Sequence, residues 1–179
     1  MKLTCSKDAL IDRINIVSKA VSSRTTLPVL ECILLTADST NLTLTGSDLE
    51  IGIKSSPISA TVEKEGSVAI EAKLFSEIIR RLNGESVTID ANGNEAVIKC
   101  GFSEFTLMTQ PAEDFPALPE VEKEFSYKIS QPMLRDMINS TIFSVALDES
   151  KPFLTGELIE FKPNSTNIVS VDGFRISYR

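Results

Sequence analysis

A chain of 179 residues with 42% hydrophobic residues has room for one or two globular domains, and its formal net charge of -7 argues against an evenly spread nucleic-acid surface. It contains no histidine, which excludes Ser-His-Asp and Cys-His catalysis and most zinc sites. No glycine-rich phosphate loop and no apolar run long enough to span a bilayer occur, the opening residues lack the apolar stretch of a signal peptide, and the three scattered cysteines fit reduced thiols, so the expected location is cytoplasmic.

Residues 2–5 read as a short strand and residues 6–21 as an amphipathic helix. Leu10, Ile14, Val17 and Val21 fall on one helical face, Ser6 stands at the N-cap, and Asp8 lies in the first turn. Pro28 biases Leu27 toward extended geometry, and the apolar run 29–37 reads as a buried strand. A turn at 38–41 leads into a strand at 42–45. Residues 49–53 alternate and read as another strand with Glu50 outward. Further strands are expected at 60–62 and 67–70. Residues 72–82 form a second helix: Phe75, Ile78, Ile79 and Leu82 make its buried stripe, leaving Lys73, Glu77, Arg80 and Arg81 toward water. Gly84 is placed to end it. Strands at 87–90, 95–100 and 104–109 follow, with a turn at Asn92-Gly93-Asn94. Residues 111–124 are proline-rich and acidic and read as a connection, with Phe115 and Leu118 pinned to a neighbouring sheet. The pattern then restarts: a strand at 125–129, a third helix at 131–145, and strands at 153–161, 167–171 and 174–178.

The restart is a repeat. Ser130, Leu134, Asp136, Ile138, Asn139 and Val145 reproduce Ser6, Leu10, Asp12, Ile14, Asn15 and Val21 at an offset of 124. Pro152, Leu154 and Leu158 continue it from Pro28, Leu30 and Leu34, and Ser165-Thr166-Asn167 repeats Ser39-Thr40-Asn41 with the offset stretched to 126. A repeat of this size is a domain. The expected organisation is a complete first domain at 1–117, a connector at 118–124 and an incomplete second domain at 125–179, within a longer natural protein. Each unit is mostly antiparallel strand with helices on one face, which is α+β.

Charge is unevenly placed. Residues 1–24 carry Lys2, Lys7, Arg13, Lys19 and Arg24 against Asp8 and Asp12, and the second helix adds Lys73, Arg80 and Arg81. Acid gathers at Glu113, Asp114, Glu120, Glu122 and Glu124. Taken alone, the cations are better explained by solvated helix faces than by a positive binding surface.

Several motifs in order resemble the bacterial DNA sliding clamp, the beta subunit of DNA polymerase III. They are Arg24-x-Thr26-Leu27-Pro28-Val29-Leu30, Leu42-Thr43-Leu44-Thr45-Gly46-Ser47-Asp48-Leu49-Glu50, Asp114-Phe115-Pro116 and Val171-Asp172-Gly173-Phe174-Arg175-Ile176. The resemblance covers the whole chain and implies a missing third domain. It implies a DNA clamp fold, a homodimeric ring with helices lining the hole, and a non-catalytic subunit that tethers the polymerase to double-stranded DNA. A sliding ring needs cations that meet phosphate without reading bases. No cofactor or metal is implied.

Carried over by position, the resemblance assigns DNA contacts to Arg24, Lys73, Arg80, Lys151 and Phe153. Phe153 reads equally as core packing at a strand start, and Arg80 and Arg81 as solvated. Half of an apolar groove for short motifs of partner proteins falls on Leu154, Val171, Gly173, Phe174, Arg175 and Ile176. The partners implied are the catalytic and clamp-loader subunits of DNA polymerase III and other proteins bearing clamp-binding motifs. Leu154 and Ile176 read alternatively as core. Ring closure falls on the edge strand 103–109, through Ser103, Phe105 and Leu107; Phe102 and Glu104 stand where some relatives carry basic residues. Two rival readings remain from the residues alone: a carboxylate-based metal-dependent hydrolase using Asp48 with Glu50 or Asp114, and a protein-interaction module with no DNA role.

Overall fold

The computed structural model describes residues 1–22, 25–119, 126–148 and 150–179. The chain divides into two compact units, Met1–Glu120 and Val121–Arg179.

In the first unit, β1 (Lys2–Ser6) leads into α1 (Lys7–Val17), and a 3-10 turn follows at Ser18–Ala20. Ser6 Oγ accepts from the Ala9 amide, so the helix has the serine cap that the sequence predicts. A second 3-10 turn, Pro28–Glu31, precedes β2 (Cys32–Asp38). The apolar run from Val29 is therefore not all strand: Pro28 fixes φ at the first position of a turn, and the strand begins three residues later than the run. Next come β3 (Asn41–Ser47), β4 (Gly52–Lys54), β5 (Ile58–Lys64), β6 (Gly66–Glu71), α2 (Ala72–Arg81), β7 (Ser86–Asn92), β8 (Glu95–Cys100) and β9 (Ser103–Gln110).

All strand pairings are antiparallel, in the order β2-β6-β9-β8-β7-β1-β5-β3-β4. Because β2 also pairs with β3, the sheet closes on itself and leaves β4 outside the ring. One core fills it, combining Leu10, Ile14 and Val17 of α1, Phe75 and Ile79 of α2, and inward residues such as Leu3, Leu35, Leu44, Ile70, Ile89 and Ile98. Phe75 and the isoleucines are completely enclosed, and each such side chain contributes about 1.5–3 kcal/mol through burial.

Two local expectations fail here. Residues 49–51 are not strand: the Asp48 carboxylate accepts from the amides of Glu50 (3.0 Å) and Ile51 (2.7 Å), which turns the chain before β4. Gly84 does not end α2, whose last carbonyls end at an extended Leu82. The Leu82 carbonyl instead accepts from Lys7 Nζ at 3.1 Å, and Gly84 is needed because a Cβ there would meet Cys100 Sγ at 2.6 Å.

The second unit contains α3 (Gln131–Asn139), 3-10 turns at Ile142–Ser144 and Pro152–Leu154, and the sheet β10 (Leu158–Lys162), β11 (Ser165–Val171), β12 (Ile176–Tyr178). The expected helix 131–145 is broken. Ser140 Oγ and Thr141 Oγ1 both donate to the Met137 carbonyl at 2.9 Å and take the place of the next helical turn. The expected strand from Phe153 starts only at Leu158, for the reason that applies at Pro28. Of the expected strand 125–129, residue 125 lies outside the described residues and 126–129 are not strand. In the first unit the corresponding β1 is held between β5 and β7.

Three strands of the first unit, β2, β3 and β4, return in the second as β10, β11 and β12. The β2–β3 register runs from Leu34↔Thr45 to Asp38↔Asn41, and the β10–β11 register runs from Leu158↔Val169 to Lys162↔Ser165. The β3–β4 pairs Thr45↔Lys54, Gly46↔Ile53 and Ser47↔Gly52 return as Val169↔Tyr178, Ser170↔Ser177 and Val171↔Ile176. Each step is 124 residues. The stretch to 126 suggested by Ser-Thr-Asn is therefore a coincidence of turn composition: Asn41 corresponds to Ser165, not Asn167. Even the close approach of α1 to β3 has its counterpart. A Cβ on Gly46 would stand 2.7 Å from the Val17 carbonyl oxygen, and at the equivalent place Ser170 Oγ donates to the Thr141 carbonyl at 2.5 Å.

Candidate functional site

Lys2 in β1 and Lys7 at the start of α1 differ from the cations of α2. Lys2 is committed to Glu63 at 2.6 Å and Lys7 to the end of α2, so neither is free to form a binding surface. Lys73, Arg80 and Arg81 project outward from α2, with Glu77 among them. Arg80 reaches across to α1, where its Nη2 donates to Asn15 Oδ1 at 2.5 Å. That bond fixes the guanidinium over the seam between the helices while leaving its other N–H groups available. Asn15 was invisible as a partner in the sequence, although its recurrence as Asn139 was part of the repeat. Arg24 lies outside the described residues.

In the second unit Lys151 and Phe153 are exposed. Lys151 precedes the 3-10 turn and its carbonyl accepts from Leu154 N–H at 2.9 Å. Phe153 is 79% exposed, whereas Val29, its counterpart in the first unit, is buried.

Three of the six groove residues lie in one turn, with Val171 and Ile176 at the strand ends that flank it. Asp172 Oδ1 accepts from the amides of Phe174 (3.0 Å) and Arg175 (3.1 Å), and Gly173 takes φ 93°. These hydrogen bonds, that from Phe174 first, hold the Asp172 carboxyl below its ordinary range, and the Arg175 Nε pair at 2.8 Å adds to them. Arg175 also lies over the Phe143 ring at 5.9 Å. Phe174 is fully exposed and Ile176 is 71% exposed. Leu154 and Val171 are half-buried. Leu154 is placed by its carbonyl, which accepts from Ala146 N–H at 2.9 Å. The result is a hydrogen-bonded turn presenting an aromatic ring, a paired guanidinium and an aliphatic chain.

The proposed closing strand is β9. Residues 103–108 pair with β8 on one side, and β6 takes up only Thr109 and Gln110. Phe105 is partly exposed and Ser103 half-buried, but Leu107 is only 6% exposed and belongs to the core. Glu104 pairs with Lys99 across the hairpin at 3.0 Å.

Among the described residues no cluster of three or more Cys, Asp or Glu could hold a metal ion. The hydrolase reading also loses its geometry, since Asp48 spends its carboxylate on backbone amides and Glu50 is in the turn rather than on a strand. Among the described residues no helix is long and apolar enough to cross a membrane.

A closed antiparallel sheet packed on two helices, three strands of which return in the same register in the second unit, with cations at exposed helix positions, defines an α+β protein of the DNA clamp fold. Residues 1–119 match the DNA polymerase III beta subunit N-terminal domain, and residues 128–179 match the central domain of that subunit. The chain belongs to the DNA polymerase III beta subunit family, the beta sliding clamps. It is 34% identical over 187 residues to the beta sliding clamp of Halalkalibacterium halodurans, covering 100% of this chain and 49% of that protein. Among solved structures, a protein assigned as DNA polymerase III beta subunit from Eubacterium rectale superposes with a TM-score of 0.95 at 43% identity, and the Bacillus subtilis clamp with 0.95 at 34%. Both comparisons cover 100% of this chain and 49% of the other. The chain thus spans about half the length of the relatives it matches.

Proposed function

We propose that this chain is the first part of a DNA polymerase processivity factor, a non-catalytic ring that encircles double-stranded DNA. The ring tethers the catalytic and clamp-loader subunits of DNA polymerase III, and other proteins bearing clamp-binding motifs, in the cytoplasm. Residues 1–117 would form the first clamp domain, 118–124 the connector, and 125–179 the start of the middle domain. The observation that carries this reading is the repetition of one sheet-and-helix unit in an unchanged register, in a chain of the clamp family. A ring built by repeating one unit places equivalent helices at equivalent positions around it.

Lys73, Arg80, Lys151, Phe153 and Arg24 are the proposed DNA contacts. Their cations act as loose counter-charges to phosphate, which permits sliding. The Asp172 turn with Leu154 and Val171 is the proposed half-groove for partner peptides. The open side of β9, with Ser103 and Phe105, is the proposed homodimer edge; the Leu107 side chain supports it from within. Backbone groups along 103–108 suit strand addition. The test is to extend the chain to the length of its relatives, load it on DNA and compare templates. Retention on closed circles with loss from linear DNA is expected. Loss from both at low salt overturns the proposal.

A further inference from the structure

The repeat places a second copy of the Asp172 turn in the first unit, at Asp48. Both aspartates accept from the amides two and three residues ahead, and both turns close with a backbone bond from the aspartate amide, to Ile51 and Arg175 respectively. Residue for residue, Leu49, Ile51 and Gly52 correspond to Gly173, Arg175 and Ile176, and Leu30 corresponds to Leu154.

In the first unit this surface is occupied. Phe115 is buried in a cluster with Val29, Leu30, Cys32 and Ala69, so it covers the counterpart of Leu154. Three residues later Leu118 lies on Gly52, the counterpart of Ile176: a Cβ there would stand 2.3 Å from Leu118 Cδ2. One segment, Phe115-Pro116-Ala117-Leu118-Pro119, thus sets two large apolar side chains on the two equivalent positions. Its prolines favour an extended chain that can lie across a surface without forming structure of its own.

We propose that Leu30 and Gly52, which follows the Asp48 turn, form a second apolar peptide-binding surface, equivalent to the half-groove of the second unit, and that residues 115–119 are its resident ligand, held in cis. The proposal rests on the groove reading of the Asp172 turn. Gly52 is the specificity element, because only a residue without a side chain leaves room for Leu118. The surface is closed to other peptides while Leu118 is seated.

The experiment uses the isotopically labelled 179-residue chain and, as probe, a capped peptide of residues 113–119. In the native chain the backbone amides of Leu49, Ile51 and Gly52 should not respond. In Leu118→Ser they should shift saturably, and a probe carrying the same Leu→Ser change should bind at least tenfold more weakly. Absence of these shifts in folded Leu118→Ser, or equal shifts in the native chain, overturns the proposal. Leu118→Ala is the milder second variant; if neither folds, Leu118 is core rather than a removable ligand, and the proposal falls. The amides of Phe174 and Arg175 report the second unit separately, so failure of that groove is distinguishable from failure of this one.

Discussion

Leu49 and Gly173 adopt the same left-handed conformation, φ 78° and 93°, at the same place in two turns 124 residues apart. Glycine takes this conformation freely, whereas a γ-branched residue with a Cβ is strained by about 1–2 kcal/mol. Leu49 is mostly exposed and has little packing to lose. Leu49→Gly should therefore raise stability by up to about 1 kcal/mol, after the greater entropy of the unfolded chain is deducted. Gly173→Ala should lower it by about 1 kcal/mol. Urea denaturation of both variants checks this; a marked loss in Leu49→Gly would show that the leucine is held by its side chain.

Much of this fold was legible because periodicity reports burial. Leu10, Ile14, Val17, Phe75 and Ile79 are core residues as their spacing implies, and the offset of 124 found in the first helix extends to the strand registers. Two of the misreadings share one cause. At 49–51 and 140–144 a short polar side chain takes over backbone hydrogen bonds, and alternating or helical hydrophobicity cannot show that competition. The site was legible only as residue types at positions. Long-range pairings such as Arg80 with Asn15, or Leu118 with Gly52, leave no local signal.

Stability should fall in acid through the two turn aspartates. Both carboxyls are held below their ordinary value of 3.8 by backbone amides, Asp48 chiefly by Ile51 and Asp172 chiefly by Phe174. The unfolded chain binds their protons first as pH drops, so this stabilisation is present above about pH 4 and is lost as pH falls through the folded values. Asp148 and Glu160 shift in the same direction. The urea midpoint should decline from pH 5 to pH 2.5, with a shallower decline in Asp48→Asn and Asp172→Asn. Unchanged slopes would show that the turns do not distinguish the folded from the unfolded state.

Lys73 and Arg80 should act on DNA without acting on the fold. Both are exposed, and neither enters the core. In the chain extended to the length of its relatives, each change to alanine should reduce the slope of log affinity against log salt by about 1, uniformly across sequences. Asn15→Ala should have a smaller effect, since it frees Arg80 without removing its charge. Arg24→Ala should weaken retention on DNA with little change in melting temperature. A large fall in melting temperature would make that arginine structural.

Phe105 and Leu107 should separate association from folding, although they lie two apart on the same face of β9. Leu107 is enclosed in the core, so Leu107→Ala should destabilise the first unit by about 2–5 kcal/mol through the cavity it leaves. Phe105 keeps much of its ring in solvent beside the unpaired side of the strand. Phe105→Asp should leave the melting temperature nearly unchanged yet weaken closure of the full-length ring, because a charge would be placed where a partner strand must pack. Analytical ultracentrifugation of the full-length protein reads the second effect and thermal unfolding reads the first. A dimer of unchanged affinity in Phe105→Asp would move the closing surface away from β9.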